Sequence, residues 1–363
     1  MNKRRIVVFI FALFVSGGIY AQDAFHYTFF DMTQVALNPG LAGGFEGTAR
    51  IGGVLREQDY GKGFGLGQYR SPVLFVDAPL IRGFRKQDWV GFGFAFQYDQ
   101  QKFSYLYDGN NITNAMINTS SFGGLSYHFA LDKKRKNVIA IGVQSGSSNV
   151  SFKDTELVTP ESLMNFIQNP GTSISKSYVS QLPIDKKKKS NKLGYTIGAV
   201  YTSHISKIKS LRLGLSVSSI GNRLSYSVLE QNSGGFFRRK LRYAAFSIYR
   251  TELANGLILE PRVFFQYLQP SWEASAQMMA GVRINKPTSM ILFGGLGYNP
   301  INGAQFLISA EVKDMKYFFS FDLNLTDKAA VSGAASAFEL GASYILKIRK
   351  RPNPDPVLIC PNI

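Results

Sequence analysis

The chain has 363 residues, with 41 lysines and arginines against 24 acidic residues, 35 glycines and 29 phenylalanines. A single cysteine excludes an intrachain disulfide framework and a cysteine-rich zinc site, and three histidines leave little material for metal or acid–base chemistry. The near-neutral hydropathy excludes a bundle of membrane helices, and the scattered basic residues argue against a nucleic-acid surface.

Residues 1–21 have the features of a secretory signal peptide. MNKRR supplies the positive n-region, IVVFIFALFVSGGIY supplies the apolar h-region, and Ala21 precedes the expected cleavage point. The alternative is a membrane-anchoring helix. Because the signal carries three basic residues and no acid, we expect the mature chain to carry 38 basic and 24 acidic residues, a net charge of +14.

A stretch near residue 90 sets the pattern for the rest of the chain. Residues 89–100 read WVGFGFAFQYDQ, so phenylalanines alternate with glycine and alanine. Glycine is a poor choice for a solvated strand face. We therefore expect Phe92, Phe94 and Phe96 to face lipid and the small residues to face a lumen. A basic residue on the lipid face should cost about 2–4 kcal/mol, and we expect the same change on the lumenal face to be milder.

Fourteen segments show this alternation at roughly the ten-residue length that a tilted membrane strand needs. They are residues 48–58, 68–80, 89–100, 114–131, 138–148, 193–203, 211–219, 241–250, 257–268, 272–284, 289–299, 304–313, 316–325 and 337–346. Since backbone groups in lipid must all be paired, such a sheet has to close. The sequence predicts an all-β fold, a transmembrane antiparallel β-barrel of about 14 strands within residues 46–348. The alternative is a secreted soluble β protein.

Charged residues recur opposite the apolar rows, where we expect the lumen. They are Arg212, Glu260, Arg262, Glu273, Arg283, Glu311, Asp322 and Glu339. Charges of both signs inside a narrow barrel can pair across it or bind an inserted segment, which favours a plugged interior over an open one.

The connections between segments should alternate between short periplasmic turns and longer external loops. The expected inside turns are 81–88, 131–137, 203–209, 251–256, 285–288 and 313–315, and the expected outside connections include 56–68, 101–111 and 221–240. The longest, 149–191, contains PESLMNFIQNPG, which could form a short helix, and a lysine run at 186–189. That run is either a solvated loop or a contact for an acidic polymer or partner protein.

No constellation of catalytic residues stands out. Ser126 and His128 share a predicted lumenal face, but their spacing supplies no third orienting group. GKGFGLG at 61–67 could mimic a phosphate-binding loop, but no strand–helix unit frames it. We therefore expect no enzyme activity, no cofactor and no metal.

Short motifs distributed along the chain resemble the PorP/SprF family of Bacteroidetes type IX secretion proteins. FDMTQVALNPGLAGG (30–44) resembles its N-terminal element, LREQ (55–58) its Arg-x-Gln motif, and FVDAPL (75–80) its second strand. LGLSVSSIGN, FELGASYIL and the terminal LICPNI resemble later elements, with departures at positions 40, 59 and 363. The matched positions are Asn38, Pro39, Gly40, Gly43, Arg56, Gln58, Asp77, Cys360 and Pro361.

The resemblance implies a non-enzymatic outer-membrane component of type IX secretion, which scaffolds the surface attachment or export of a protein such as a gliding adhesin. Implied partners are the C-terminal domain of a cargo protein, periplasmic secretion components and outer-membrane lipid. The alternative is a diffusion channel or a hydrophobic-ligand transporter. Residues 22–45 are expected at the barrel mouth or lumen, or as a periplasmic cap. Residues 349–363 are too proline-rich for a membrane strand and are expected in the periplasm.

Overall fold

In the computed structural model, fourteen antiparallel strands close into a barrel in which every strand pairs with its sequence neighbours and β1 pairs with β14. The structure describes residues 27–58, 68–82, 87–107, 110–153, 190–206, 209–220, 241–268, 271–285, 290–300, 303–325 and 335–348. The predicted fold class is confirmed. The strands are β1 (Ala49–Gln58), β2 (Gln68–Arg82), β3 (Trp89–Tyr107), β4 (Asn110–Ala130), β5 (Asn137–Lys153), β6 (Ser190–Ser206), β7 (Lys209–Ile220), β8 (Arg242–Glu252), β9 (Ile258–Leu268), β10 (Ser271–Asn285), β11 (Met290–Asn299), β12 (Gly303–Val312), β13 (Met315–Leu323) and β14 (Ala335–Leu346).

The two faces of β3 have the predicted orientation. Phe92, Phe94 and Phe96 point outwards with 38–41% of their surface exposed, whereas Ala95 between them is fully buried. Successive side chains of a strand alternate between faces, so one register places Phe92, Phe94 and Phe96 together on the lipid side. The predicted register is confirmed.

The two ends of the barrel differ in their connections. At the end where β1 begins and β14 finishes, consecutive strands are joined by two to six residues; at the opposite end the connections reach 36 residues. Short turns mark the periplasmic end of an outer-membrane barrel. We call this the inner end and the opposite one the outer end.

The β3–β4 connection is shorter than the sequence predicted. Residues 101–111 were expected to form an external loop, but β3 and β4 continue pairing as far as Tyr107 and Asn110. The physical reason is the alternation of Phe103 and Tyr105 with smaller residues, because aromatic residues favour strands. The expected loop is therefore wrong in extent.

Several predicted features lie outside the described residues. They are the signal peptide at 1–21, the short helix within 160–171, the lysine run at 186–189 and the tail at 349–363. Within the part of the chain that the structure describes, no helix is long and apolar enough to span a membrane.

Candidate functional site

Residues 27–43 run through the interior of the barrel, and we call them the plug. They form a 3-10 helix (Phe30–Met32), one α-helical turn (Gln34–Leu37) and a second 3-10 helix (Pro39–Leu41). Every plug residue except Gln34 is buried. The plug occupies the lumen that the small and polar strand faces create.

The plug enters from the outer half of the barrel and runs inwards. The hydroxyl of Tyr27 donates to the carbonyl of Ser71 at 3.0 Å, and Ser71 lies near the outer end of β2. At the other end of the plug, the carbonyl of Gly43 accepts a hydrogen bond of 2.9 Å from the indole of Trp89, the first residue of β3. The N-terminal end of the plug therefore lies nearer the outer mouth than the periplasm.

Apolar side chains of the plug pack against lumenal aromatics. Phe29 lies 4.7 Å from Phe318 between ring centroids, and Phe30 stacks on Phe264 at 5.2 Å. The large buried apolar residues of the plug are Phe29, Phe30, Met32, Val35, Leu37 and Leu41. Burying one such side chain stabilises a protein by about 1.5–3 kcal/mol, so this packing favours an occupied lumen.

Arg56 organises the outermost of three polar clusters that hold the plug. Its guanidinium contacts Glu339 at 2.5 Å and Asp322 at 3.0 Å, and all three side chains are buried. Glu339 also accepts hydrogen bonds from the backbone N–H groups of Thr28 and Phe29, and Asp322 accepts one from the Thr28 hydroxyl at 2.9 Å. One arginine therefore positions two carboxylates that bind the start of the plug.

The middle cluster is centred on Asp31 of the plug. Its carboxylate contacts Arg262 of β9 at 3.0 Å and Lys316 of β13 at 3.1 Å. A buried carboxylate without such partners would be costly. Asp31 therefore ties the plug to two separate parts of the wall.

A network along the wall supports this middle cluster. Arg262 donates to the carboxylate of Glu260 at 2.6 Å, and Glu260 also pairs with Arg250. Arg250 continues to Glu311 at 2.7 Å. The predicted lumenal residues Glu260, Arg262 and Glu311 thus belong to one connected network.

Asn38 fixes the turn that precedes the second 3-10 helix. Its side-chain oxygen accepts from the N–H of Gly40 at 2.8 Å. Its side-chain nitrogen donates to the carbonyls of Ala199 and Leu215, which are register partners on β6 and β7. The motif Asn-Pro-Gly is therefore both a local turn and a clamp on the barrel wall.

Two lumenal glycines make room for this turn. A Cβ at Gly142 would collide with the carbonyl group of Pro39 and the nitrogen of Gly40. A Cβ at Gly198 would collide with the side chain of Asn38. The small face of β5 and β6 is thus shaped for the plug.

The inner cluster closes the other end of the plug. The N–H of Gly43 donates to Asp77 at 2.7 Å, and Arg50 contacts the same carboxylate at 2.6 and 2.9 Å. Gly43 has a φ of +68°, which favours glycine, and a Cβ there would lie 2.7 Å from the Cα of Gly91. The predicted positions Gly43 and Asp77 are in direct contact.

Ser126 and His128 converge on a carbonyl of the plug. The Ser126 hydroxyl lies 2.6 Å and the His128 Nε2 atom 2.8 Å from the oxygen of Ala42, and the two side chains are 3.0 Å apart. Trp89 stacks on the imidazole with centroids 4.6 Å apart. Both side chains are buried, and both contact the backbone carbonyl of Ala42, so they help to hold the plug.

Two further predicted residues lie in the outer half of the lumen. Gln58 accepts a hydrogen bond of 2.9 Å from Arg56. Glu273 accepts from Gln266 at 2.5 Å and from Asn299 at 2.7 Å. They extend the polar wall around the outer cluster.

The remaining predicted residues are not brought into the three clusters. Arg212 lies half-buried on β7. Arg283 lies at the inner end, where its side chain is 52% exposed and pairs with Glu252 at 2.9 Å. Cys360 and Pro361 lie outside the described residues.

Sequence reasoning missed several residues that hold the plug. They are Thr28, Asp31, Arg50, Arg250 and Lys316. Arg50 could have been found, because it lies an even number of residues from Arg56 on the same strand. Among the described residues, no group of three or more His, Cys, Asp or Glu is placed to hold a metal ion.

Comparison with solved structures identifies the architecture. The P. putida toluene transporter TodX resembles this chain with a TM-score of 0.51 and 10% identity, over 86% of this chain and 93% of that one. A TodX deltaS2S3 mutant, a monoaromatic hydrocarbon channel, gives a TM-score of 0.53 and 11% identity, over 85% and 93% of the two chains. At these identities the likeness is one of fold.

Sequence comparison gives the family. No curated protein matches the chain significantly. The family model described as type IX secretion system membrane protein PorP/SprF matches residues 19–344, nearly the whole chain. Its family, its closed barrel and its apolar outer face place the chain in the outer membrane. The chain is a member of the PorP/SprF family of type IX secretion system membrane proteins.

Proposed function

We propose that this barrel is a non-enzymatic scaffold of type IX secretion, which holds the C-terminal domain of a secreted cargo protein, such as a gliding adhesin, at the cell surface. The long outer connections would contact the cargo. The inner turns and the tail at 349–363 would contact periplasmic secretion components. Residues 1–21 would act as a cleaved export signal.

The observation that carries this proposal is the plug. Three polar clusters hold residues 27–43 at the outer, middle and inner levels of the lumen. A scaffold needs a rigid barrel and no open path, and an occupied lumen suits that role.

The energy needed to remove the plug supports a closed barrel. Six large apolar side chains would be exposed to water, at about 1.5–3 kcal/mol each. Removing Asp31 would also take a carboxylate away from Arg262 and Lys316. Together these terms are on the order of 10 kcal/mol, which disfavours spontaneous opening.

The competing function is a diffusion channel or a hydrophobic-ligand transporter. The fold that this chain shares with a toluene transporter is the observation that favours it. Transport through the lumen would require the plug to move or to leave a lateral path.

The test is deletion of the gene in the native host, followed by proteomics of the cell surface and the medium. The scaffold proposal expects a type IX cargo protein to leave the surface and appear in the medium or be degraded. Purified barrel in planar bilayers should show little steady ion conductance. Large stable conductance with an unchanged surface proteome would favour the transporter.

A further inference from the structure

The net positive charge of the chain is concentrated at the inner end of the barrel. The segments at that end contain twelve basic and four acidic residues, a net charge of +8, whereas the longer outer connections carry +3. The inner segments are 82–88, 132–136, 206–209, 252–257, 285–289, 313–314 and 347–348. The outer ones are 59–67, 108–109, 154–189, 221–240, 269–270, 301–302 and 326–334.

Exposed aliphatic side chains border these basic residues. Between 51% and 63% of the residue surface is exposed at Ile81, Leu131, Ile205, Ile284 and Ile348. Described basic residues one or two positions away along the chain include Lys133, Arg283 and Lys347. Long basic side chains next to an apolar belt can keep their stems in hydrocarbon and their charges at the headgroup level.

The β4–β5 turn belongs to the ring of turns at the inner end, which we call the inner rim. Asp132 accepts hydrogen bonds from the N–H groups of Lys134 and Lys136, both at 2.9 Å, and from Asn137 at 2.7 Å. The carboxylate is therefore turned into the backbone of its own turn. The carbonyl of Lys136 also accepts from the N–H of His204, which ties the turn to β6.

The lysines of this turn are left facing outwards. Lys133, Lys134 and Lys136 are exposed, and none forms an ion pair with another described residue. The guanidinium of Arg135 lies 5.5 Å from the ring centroid of Trp89. Three ammonium groups are thus presented on a fixed turn beside the apolar belt.

We propose that the inner rim, and above all Lys133, Lys134 and Lys136, binds the headgroup phosphates of anionic phospholipids in the inner leaflet of the outer membrane. The exposed lysines Lys133, Lys209, Lys313 and Lys347 lie at the inner ends of different strands or on different inner turns, as a lipid annulus around the barrel requires. Juxtamembrane basic clusters attract anionic headgroups.

The test uses purified full-length mature barrel in detergent and native mass spectrometry. The probes are phosphatidylglycerol and phosphatidylcholine with the same acyl chains. The wild type should retain phosphatidylglycerol roughly tenfold more strongly than phosphatidylcholine. The variant K133Q/K134Q/K136Q should lose most of this preference, and the matched outer-end variant K186Q/K187Q/K188Q should keep it.

Faster migration of unboiled than boiled protein on a gel checks that each variant is folded. If the turn variant fails to fold, the lipid preference of the wild type is measured at increasing NaCl concentrations instead. Screening should abolish an electrostatic preference near 1 M salt, where the Debye length is about 3 Å. Absence of a preference, equal losses in both variants, or full displacement by millimolar inorganic phosphate would overturn the proposal.

Discussion

Arg50 and Asp77 form a buried two-bonded ion pair between register partners on β1 and β2, with Nε–Oδ1 at 2.9 Å and Nη2–Oδ2 at 2.6 Å. The same carboxylate accepts the N–H of Gly43. One pair thus joins two strands and fixes the inner end of the plug.

Asp77→Ala should destabilise the barrel by about 3–5 kcal/mol, because it leaves the Arg50 guanidinium buried without its partner. It should also release the end of the plug. Denaturant unfolding in detergent measures the stability, and limited proteolysis of residues 27–43 measures the release.

The control is Arg70→Ala, which breaks the ion pair with Glu57 in which the arginine side chain is 53% exposed. Exposed pairs contribute about 0–1 kcal/mol, so this variant should behave like the wild type. Equal losses for both variants would show that the buried pair has no special role.

Gly142→Ala should disrupt the docking of the plug, because its Cβ would collide with the backbone of Pro39 and Gly40. Gly294→Ala is the matched control, since no atom lies within 4 Å of a Cβ there. The first variant should show a lower unfolding midpoint and faster proteolysis of the plug, and the second should be neutral or slightly stabilised. A neutral Gly142→Ala would contradict the observed packing.

Phe94→Arg should cost roughly 2–4 kcal/mol, because it puts a charge into lipid. We do not expect the milder effect predicted for the lumenal face at Gly91, where a Cβ would already collide with the carbonyl oxygen of Ala42. Gly91→Arg should therefore fail to dock the plug. The yield of refolded barrel, measured on unboiled gels, compares the two variants. A wild-type yield for Gly91→Arg would contradict the close packing of Gly91 against the plug.

The pKa of Asp132 is held below its usual range, first by the hydrogen bond from the backbone N–H of Lys136. The lowered pKa means that the carboxylate stabilises the turn above the unfolded pKa of about 3.9, and that this stabilisation is lost as the pH falls through the folded pKa. Carbon-13 NMR of the carboxyl group should show a titration below that of a free aspartate. At neutral pH, Asp132→Asn should speed tryptic cleavage after Lys134. An unchanged cleavage rate would show that the hydrogen bonds to the Asp132 carboxylate do not stabilise the turn.

The strands and their register could be predicted because each depends on local alternation. The alternation of neighbouring residues is enough to predict that Phe92 and Ala95 lie on opposite faces. Closure of the barrel follows because backbone groups in lipid must all be paired. The extent of β3 could not be predicted, because an aromatic-rich segment next to a turn suits a strand or a loop.

The clusters that hold the plug could be predicted only in part. Asp322 and Glu339 were assigned to the lumen and Arg56 was assigned only to a family motif, and their meeting depends on closure between the first and last strands. Asp31 was missed because the plug has no periodic pattern that predicts where its side chains point. Its partners Arg262 and Lys316 are more than 200 residues away in the chain.

A disulfide between the plug and the barrel wall can test directly whether the protein functions with the plug fixed in the lumen. A Cβ at Gly40 would lie 3.2 Å from Cγ2 of Val200, close to the separation of about 3 Å between a Cβ and the far sulfur of a disulfide. Gly40→Cys with Val200→Cys, in a chain with Cys360→Ser, should therefore lock the plug. The two single-cysteine chains are the controls for each substitution.

The decisive measurement is the amount of type IX cargo on the surface of deletion cells that carry this locked chain, before and after treatment with a reductant. A closed scaffold predicts equal cargo retention in the locked and reduced states, matching the single-cysteine controls. Retention that is lost when the plug is locked and restored by reduction would contradict a closed scaffold and show that the plug must move.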